Sequence, residues 1–351
     1  MLFERLALPP DVHLKLAFSG GLDSLALLHA LARLRADPGD RGGRRHRMDL
    51  SAVHVDHGLQ PASSHWARRC QQLCTDLAVS CRIEQIKVTR APGASLEAVA
   101  RQARYEALAR HIGPSEVLLT AHHQDDQAET LLLQLLRGAG VHGLAAMRPI
   151  TGFGRGRLAR PLLEFPRSAL RDYALAHRLD WIEDSSNHDL RHRRNLIRHA
   201  LLPQLAQHWP QAAALLARSA RHAGQAAVLL DEIARLDLGA CRMSGPPAAA
   251  VLSVPALRTL SPERLGNALR YWLRSEHFQP PGTRPLAAIV QMLSEEPRTR
   301  HAQVSWPGIE VRRYQDELHV MPTLGKIDAA LDLPWDLAAP IELPGLGLRL
   351  S

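Results

Sequence analysis

The apolar run at residues 14–18 ends in Ser19-Gly20-Gly21-Leu22-Asp23-Ser24 and passes directly into the apolar-periodic stretch 25–34. A strand that enters a helix through two glycines leaves backbone N–H groups without partners at the positive end of that helix. Such an end accepts phosphates. Asp23 would repel them directly, so its natural task is to hold a Mg²⁺ that bridges to them. No lysine follows the glycines, which excludes the Gly-x-x-x-x-Gly-Lys-Ser/Thr loop. A plain strand–turn–helix junction explains the glycines, but not serine at both ends together with the aspartate.

The rhythm around this junction repeats. Strands are predicted at 14–18, 50–55, 82–88 and 117–121, with helices at 24–34, 64–77 and 95–112 and a fourth from about 125 to 137. That alternation predicts an α/β fold with a Rossmann-like parallel sheet, and its nearly continuous apolar strands predict burial on both faces. Ligands on such sheets bind beyond the carboxyl ends of the strands, the edge where Ser19 and His122 fall. Downstream come a glycine-rich loop at 138–143, a basic turn at 152–160, and helices at 166–177 and 194–207, the latter halted by Trp209-Pro210. The expected plan is a catalytic domain over 1–211, a helical connector over 212–236, and a small α+β domain over 237–331. Its helices are expected at 262–275 and 285–293 and its strands near Val304 and Leu318, with a linker and the start of a further domain over 332–351.

At 351 residues the chain exceeds one ordinary domain, and no apolar run approaches the ~20 residues of a membrane span. Glu4, Pro9 and Asp11 interrupt any secretory signal design. Cys70, Cys74, Cys81 and Cys241 form no metal-like pair of pairs, so a reducing cytoplasm is the expected location. The net charge of +8 favours polyanionic partners. Arginine carries nearly all of it, since the lysines are Lys15, Lys87 and Lys326 alone.

A second cluster is His122-His123-Gln124-Asp125-Asp126-Gln127-Ala128-Glu129-Thr130. Asp125 and Glu129 (i, i+4) and Asp126 and Glu129 (i, i+3) share a helical face, and acids so close repel unless a cation lies among them. His54-Val55-Asp56-His57-Gly58 ends the second strand. Its histidines line a nucleotide pocket or, with Cys70 and Cys74, form part of a zinc site. Arg101 and Arg104 on the third helix approach the phosphates or form a solvated face. Glu183, Asp184, Asn187, Arg191, Arg193, Arg194 and Arg198 position a ribose-phosphate backbone while the acids orient an amine, or they form a salt-bridged surface. The arginines of 41–47 read as a solvated loop that could also brush RNA.

Residues 19–24, 54–59, Arg104-Tyr105, 121–130, 137–147, 160–163 and 181–198 together resemble the tRNA(Ile)-lysidine synthetases, a family of PP-loop ATP pyrophosphatases. The sequence Arg137-Gly138-Ala139-Gly140-Val141-His142-Gly143-Leu144, with Glu183-Asp184 and Arg194-Asn195-Leu196-Ile197-Arg198, separates that family from other PP-loop enzymes. The resemblance implies that ATP with Mg²⁺ adenylates the C2 oxygen of the wobble cytidine in a CAU-anticodon isoleucine tRNA. Free L-lysine then displaces AMP, giving lysidine and switching identity from methionine to isoleucine. It assigns ATP binding to Ser19, Gly20, Gly21, Leu22, Asp23, Ser24, His54, His57 and His123, and Mg²⁺ to Asp23 and Asp126. Catalysis falls to Asp23, Asp126, Glu129, Arg104 and Arg198, with Glu129 or Asp125 handling the lysine amine. The substrate pocket takes Asp125, Gly138, Gly140, Gly143, Glu183, Asp184, Arg194 and Asn195. A homodimer and a further C-terminal barrel-like domain in longer members are also implied. A chain stopping at 341–350 would then grip tRNA less well with its catalytic half intact. A tRNA thiolase is the alternative, and it would want a Cys-x-x-Cys that Cys70-x-x-x-Cys74 does not supply.

Overall fold

The computed structural model describes residues 6, 8, 12–36, 49–58, 63–87, 96–184, 189–242, 251–294, 302–323, 341–343 and 348–350, the last two segments and 96–98 as backbone. Residues 41–47, Asn187 and most of 332–351 therefore lie outside the described residues. Two compact units divide the chain, Met1–Gln225 and Ala226–Ser351.

In the first unit, β1 (His13–Ala17), β2 (Asp49–Asp56), β3 (Ser80–Gln85) and β4 (Glu116–Leu119) alternate with α1 (Leu22–Ala36), α2 (Ser63–Asp76) and α3 (Leu96–Arg110). After β4 come α4 (Gln124–Leu135), a short α5 (Val141–Leu144), the hairpin β5 (Ile150–Phe153) and β6 (Gly156–Ala159), and α6 (Arg167–Ala176). The sheet order is β3-β2-β1-β4-β6-β5, parallel throughout except for the antiparallel edge strand β5. Leu14 and Leu16 on β1 and Val117, Leu118 and Leu119 on β4 have no appreciable exposure, which fixes the sheet centre.

Burial is not uniform across both faces as expected. β1 alternates buried and half-buried residues, and its Lys15 ammonium donates to Glu116 Oε2 at 2.7 Å and to the His111 carbonyl at 2.6 Å. The segment expected as a basic turn is instead the β5–β6 hairpin. Packing requires glycine at 156, because a Cβ there would overlap the carbonyls of Glu116 and Gly113. The helix expected over 194–207 is α7 (Arg193–Leu196), a π turn (Ile197–Leu201) and α8 (Leu202–His208).

The helix α9 runs from Ala212 to Cys241, longer than the connector expected, and the boundary between units falls within it. The second unit folds α10 (Val254–Arg258), α11 (Pro262–Ser275) and α12 (Thr283–Ser294) against an antiparallel sheet of order β7-β10-β9-β8. Those strands are β7 (Leu252–Ser253), β8 (Ala302–Trp306), β9 (Ile309–Tyr314) and β10 (Glu317–Pro322). Fully buried Trp272, Leu269 and Ile289 form its centre, and Asp231 and Asp237 pair with Arg274 and Arg264 of α11. β11 (Ile341–Leu343) and β12 (Leu348–Leu350) pair with each other.

Candidate active site

β1 is flanked by β2 on one side and β4 on the other, so the chain leaves in opposite directions from neighbouring strands. A crevice opens beyond the carboxyl ends at such a point. Here it is a cavity of about 610 Å³ lined by the loop after β1, the ends of β2 and β4, and side chains from α2, α3 and residues 181–184.

The loop at 19–24 is tied at both ends. Ser19 Oγ lies 3.0 Å from Ser24 Oγ, the Ser19 N–H donates to Ser24 Oγ at 3.3 Å, and Ser24 Oγ donates to the Gly21 carbonyl at 3.1 Å. Gly20 has φ +78°, and its carbonyl accepts the Ile182 N–H at 2.9 Å. A Cβ on Gly20 would lie 2.7 Å from both Cys70 Sγ and Ile182 Cδ1, so only glycine fits. Ser19, Gly21, Leu22, Asp23 and Ser24 line the cavity, and Gly20 forms the floor of the loop behind them.

The acids of α4 divide their work. His123 is the N-cap, and its backbone N–H donates to Asp126 Oδ2 at 3.1 Å. Asp126 Oδ1 accepts from Arg194 Nη2 at 2.8 Å and from Arg198 Nη2 at 2.9 Å. Glu129, with 0% exposure, accepts from Arg194 Nε at 2.7 Å and from Arg198 Nε at 2.6 Å and Nη2 at 3.0 Å. Two carboxylates thus face two guanidiniums in a bidentate square. Burial alone would raise Asp126, but His123, Arg194, His122 and Arg198 hold its carboxyl at about 2.

Asp126 and Arg198 line the cavity, whereas Glu129 and Arg194 stand behind them. The sequence expectation gives Glu129 or Asp125 the substrate amine, and neither of them lines the cavity. Glu129 has every oxygen engaged by arginine, and Asp125 Oδ2 accepts the first N–H of α6, from Arg167, at 2.9 Å.

The histidines are exchanged in a similar way. His123, expected to bind nucleotide, is 1% exposed and does not line the cavity. Burial would lower its pKa, but Asp125, Asp23 and Asp126 lift it to about 9, so the ring is cationic at neutral pH. Its Nε2 then faces Asp126 Oδ2 at 3.3 Å and Asp23 Oδ2 at 3.6 Å, and Nδ1 faces Asp125 Oδ2 at 3.6 Å. The 3.3 Å contact of Nδ1 with the Asp126 N–H is the cap that the neutral ring makes. His122 lines the cavity instead, with Nδ1 2.8 Å from Thr120 Oγ1. Burial, reinforced by Arg160, Arg194 and Arg101 against Asp126, pushes its pKa down to about 3, so it is neutral.

On the β2 side, His54 Nδ1 bonds to the Phe18 carbonyl at 2.9 Å and pins the ends of β1 and β2 together. Asp56 Oδ1 accepts the Gly58 N–H at 2.9 Å. Among the described residues His57 Nδ1 is buried without a hydrogen-bond partner, and burial and then Arg104 lower its pKa. Arg104 lines the cavity beside Tyr105, its guanidinium 5.7 Å from the ring centroid. Among the described residues it has no carboxylate partner, and burial, Arg101 and Arg194 all disfavour its charge. An arginine so placed calls for an anion.

Glu183 and Asp184 line the cavity too. Asn195 lies outside it, donating to the Asp189 carbonyl at 3.0 Å. Gly138, Gly140 and Gly143 also lie outside, the first two in the turn between α4 and α5, where Gly140 is the N-cap, and Gly143 within α5. Trp66, Arg167 and His199 line the cavity and had no assignment from the sequence, where they read as ordinary members of helical faces.

Asp23 fits a divalent cation. Among the described residues its Oδ1 is buried without a hydrogen-bond donor, and it lies 3.7 Å from Arg167 Nε. Mg²⁺ needs one or two carboxylates and completes its shell with water and phosphate oxygens. Asp126, the second ligand expected, has both oxygens engaged by the arginines and the His123 N–H.

Comparison with known proteins agrees with this geometry. Residues 3–205 match the family model of the PP-loop domain, and residues 252–319 match that of the TilS substrate binding domain. A tRNA(Ile)-lysidine synthase of Alkalilimnicola ehrlichii is 45% identical over 95% of this chain and 73% of its own length. One of Methylococcus capsulatus is 41% identical over 98% of this chain and 76% of its own. In fold, the chain is similar to the U34-tRNA thiolase NcsA from Methanococcus maripaludis with its [4Fe-4S] cluster, with a TM-score of 0.50 and 15% identity over 63% of this chain and 76% of that one. Cys70 and Cys74 are buried in the core, and no cysteine lines the cavity. By motif, cavity and relatives alike, the chain belongs to the tRNA(Ile)-lysidine synthase family of PP-loop enzymes.

Proposed function

We propose that this cavity binds ATP and uses it to join free L-lysine to C2 of the wobble cytidine in a CAU-anticodon isoleucine tRNA. The observation that carries this reading is the convergence on one cavity of the 19–24 loop, the acid-free Arg104, and Arg198 paired with Asp126. The first-turn N–H groups of α1 and the serine-tied loop receive the pyrophosphate oxygens. Asp23, with its open Oδ1, would hold Mg²⁺, which would supply Lewis-acid polarisation of the phosphates. Arg104 and Arg198 take up charge that develops around the α-phosphate when the cytidine oxygen attacks. Asp56 and the free Nδ1 of His57 suit the polar edge of the nucleoside.

A pyrimidine carbonyl oxygen leaves only once it carries phosphate, and lysine attacks only as the free amine. Its ammonium must therefore lose a proton to a nearby acceptor. His122, with a pKa near 3, is too weak a base, and Glu129 and Asp125 are engaged elsewhere. Glu183 and Asp184, carboxylates on the cavity wall, are the acceptors assigned to it in this reading. The 251–323 segment, which contains the substrate-binding match, takes the tRNA body in this reading. The reduced cysteines suit a cytoplasmic enzyme. The family resemblance adds a homodimer, which light scattering would read.

The test is pyrophosphate release from ATP, measured with and without CAU-bearing transcript and lysine. Release should require the transcript, and lysine should convert the adenylated RNA to product. Asp23→Asn should abolish release at Mg²⁺ concentrations that saturate the native chain. Release independent of the transcript, or untouched by Asp23→Asn, would overturn the reading.

A further inference from the structure

We propose that Arg167 is the standing counter-cation of Asp23, that it competes with Mg²⁺ for that carboxylate, and that on release it passes to a phosphate oxygen of the nucleotide. Such a role rests on the ATP reading of the cavity, whose wall includes Arg167. Arg167 is the first residue of α6, and its main chain is clamped to the first turn of α4. The Gln124 N–H donates to the Phe165 carbonyl at 2.9 Å and Gln124 Nε2 to the Glu164 carbonyl at 3.4 Å, while Asp125 Oδ2 accepts the Arg167 N–H. All three bonds end on the backbone of 164–167. The position of the residue is therefore set, and its side chain is left to turn.

The contact between the two side chains is an ion pair without a hydrogen bond. Arg167 Nε lies 3.7 Å from Asp23 Oδ1, and the arginine side chain is 48% exposed. His123 Nε2 faces the other oxygen, Oδ2, at 3.6 Å. Neither contact is close enough to saturate the carboxylate. Asp126 shows the alternative, because Arg194 and Arg198 close on its Oδ1 at 2.8 and 2.9 Å. A closed, charge-assisted pair is a fixture, whereas an open one with a half-exposed partner contributes little and exchanges readily. Direct coordination by a divalent ion exceeds the pull of a guanidinium at that range.

Release changes what Arg167 can do. Among the described residues Asp23 is the one carboxylate within ion-pair reach of its guanidinium. Freed from it, the guanidinium presents five donors with no acid to satisfy them, beside the loop that receives the pyrophosphate oxygens. Its fork suits the oxygens of the two terminal phosphates, the group that leaves. Arg104 and Arg198 remain for the α-phosphate. Charge stays balanced throughout, since Arg167 neutralises Asp23 before the metal enters and meets the added phosphate charge afterwards.

The test uses the full chain and Mn²⁺ as the metal probe, with free Mn²⁺ read by electron paramagnetic resonance in the absence of nucleotide. Arg167→Met keeps the stem and drops the charge. It should bind Mn²⁺ about 2–5-fold more tightly than the native chain, the worth of a half-exposed ion pair. Arg167→Lys should stay near the native value, and adding Asp23→Asn to Arg167→Met should remove the gain. Each variant is checked for native circular dichroism. Calorimetry then reads nucleotide binding with Mg²⁺ present. A non-hydrolysable ATP analogue should bind Arg167→Met about 10–100-fold more weakly, the value of a lost charge-assisted bond, while AMP binds within about twofold of native. Mn²⁺ affinity unchanged or weaker in Arg167→Met would overturn the competition, because a plain structural pair has no metal to exclude. Analogue affinity that is unchanged, or lost equally for AMP, would overturn the transfer to phosphate. A native chain that binds no analogue would overturn the ATP reading and the transfer with it, while the Mn²⁺ result still decides the competition.

Discussion

Replacing Glu129 by glutamine separates a structural anchor from a catalytic base. Glu129 accepts three hydrogen bonds from Arg194 and Arg198, and it shares both arginines with Asp126. Glutamine keeps the shape but leaves two guanidiniums to one carboxylate, and its amide NH₂ must face an arginine N–H. Removing one partner of a buried pair costs about 3–5 kcal/mol. The arginine side chains are 24% and 22% exposed, so water recovers part of that, and about 2–3 kcal/mol is expected. For a unit of this size each kcal/mol moves Tm by about 2–4 °C, so the melt should drop by about 5–10 °C. Adenylation and lysine transfer should decline together, because Arg198 loses its support before either step begins. The assays are a thermal melt followed by circular dichroism, pyrophosphate release, and incorporation of labelled lysine into tRNA. A Glu129→Gln chain that melts within about 1 °C of the native one, releases pyrophosphate normally and fails only in lysine transfer would refute the anchor and restore the base.

Further outcomes are expected. Arg104→Ala should lower kcat/KM for ATP by about 10–100-fold, the value of a lost charge-assisted contact, while leaving Tm unchanged or raised because no acid is orphaned; a lower Tm with normal ATP kinetics would count against the anion role. Gly20→Ala should cost about 2–4 kcal/mol from the left-handed φ and the overlap with Cys70 and Ile182, and adding Cys70→Ala should recover part of it in a denaturant titration. His123 has a folded pKa near 9, above its unfolded value of about 6.5. Its contribution is therefore complete below pH 6.5 and lost as the pH rises through 9, amounting to about 3 kcal/mol at most. Urea midpoints measured from pH 6 to 10 should fall across that window, and His123→Gln should flatten the fall.

Much of this arrangement is legible in the residues themselves. Two glycines between an apolar run and a helical period place the 19–24 loop, and the i, i+3 spacing of Asp126 and Glu129 puts both on one face of α4. What spacing does not reveal is which side of that face meets the cavity. Glu129 looks as reactive as Asp126 in sequence, yet it is sealed behind Arg194 and Arg198, whose partners lie more than sixty residues away. His122 and His123 are adjacent and alike, and the N-cap geometry of α4 alone decides which is buried and charged and which is neutral on the wall. The β5–β6 hairpin hides for a different reason. Gly152, Gly154 and Gly156 read as a turn, and the need of Gly154 and Gly156 for close backbone approach to residues 109–116 is visible only once β6 pairs with β4. Likewise β9, with Arg312 and Arg313 in its run, lacks the apolar alternation that would announce a strand, although Val311 beside them is fully buried. The π turn at Ile197–Leu201 carries no sequence mark at all.

The most direct measurement is a crystal structure with a non-hydrolysable ATP analogue and Mg²⁺. The triphosphate is expected along residues 19–24, the cation on Asp23 Oδ1, and Arg104 within hydrogen-bond reach of a phosphate oxygen. A nucleotide bound outside this cavity, or one within it whose phosphates point away from Asp23 and Arg104, would contradict that expectation.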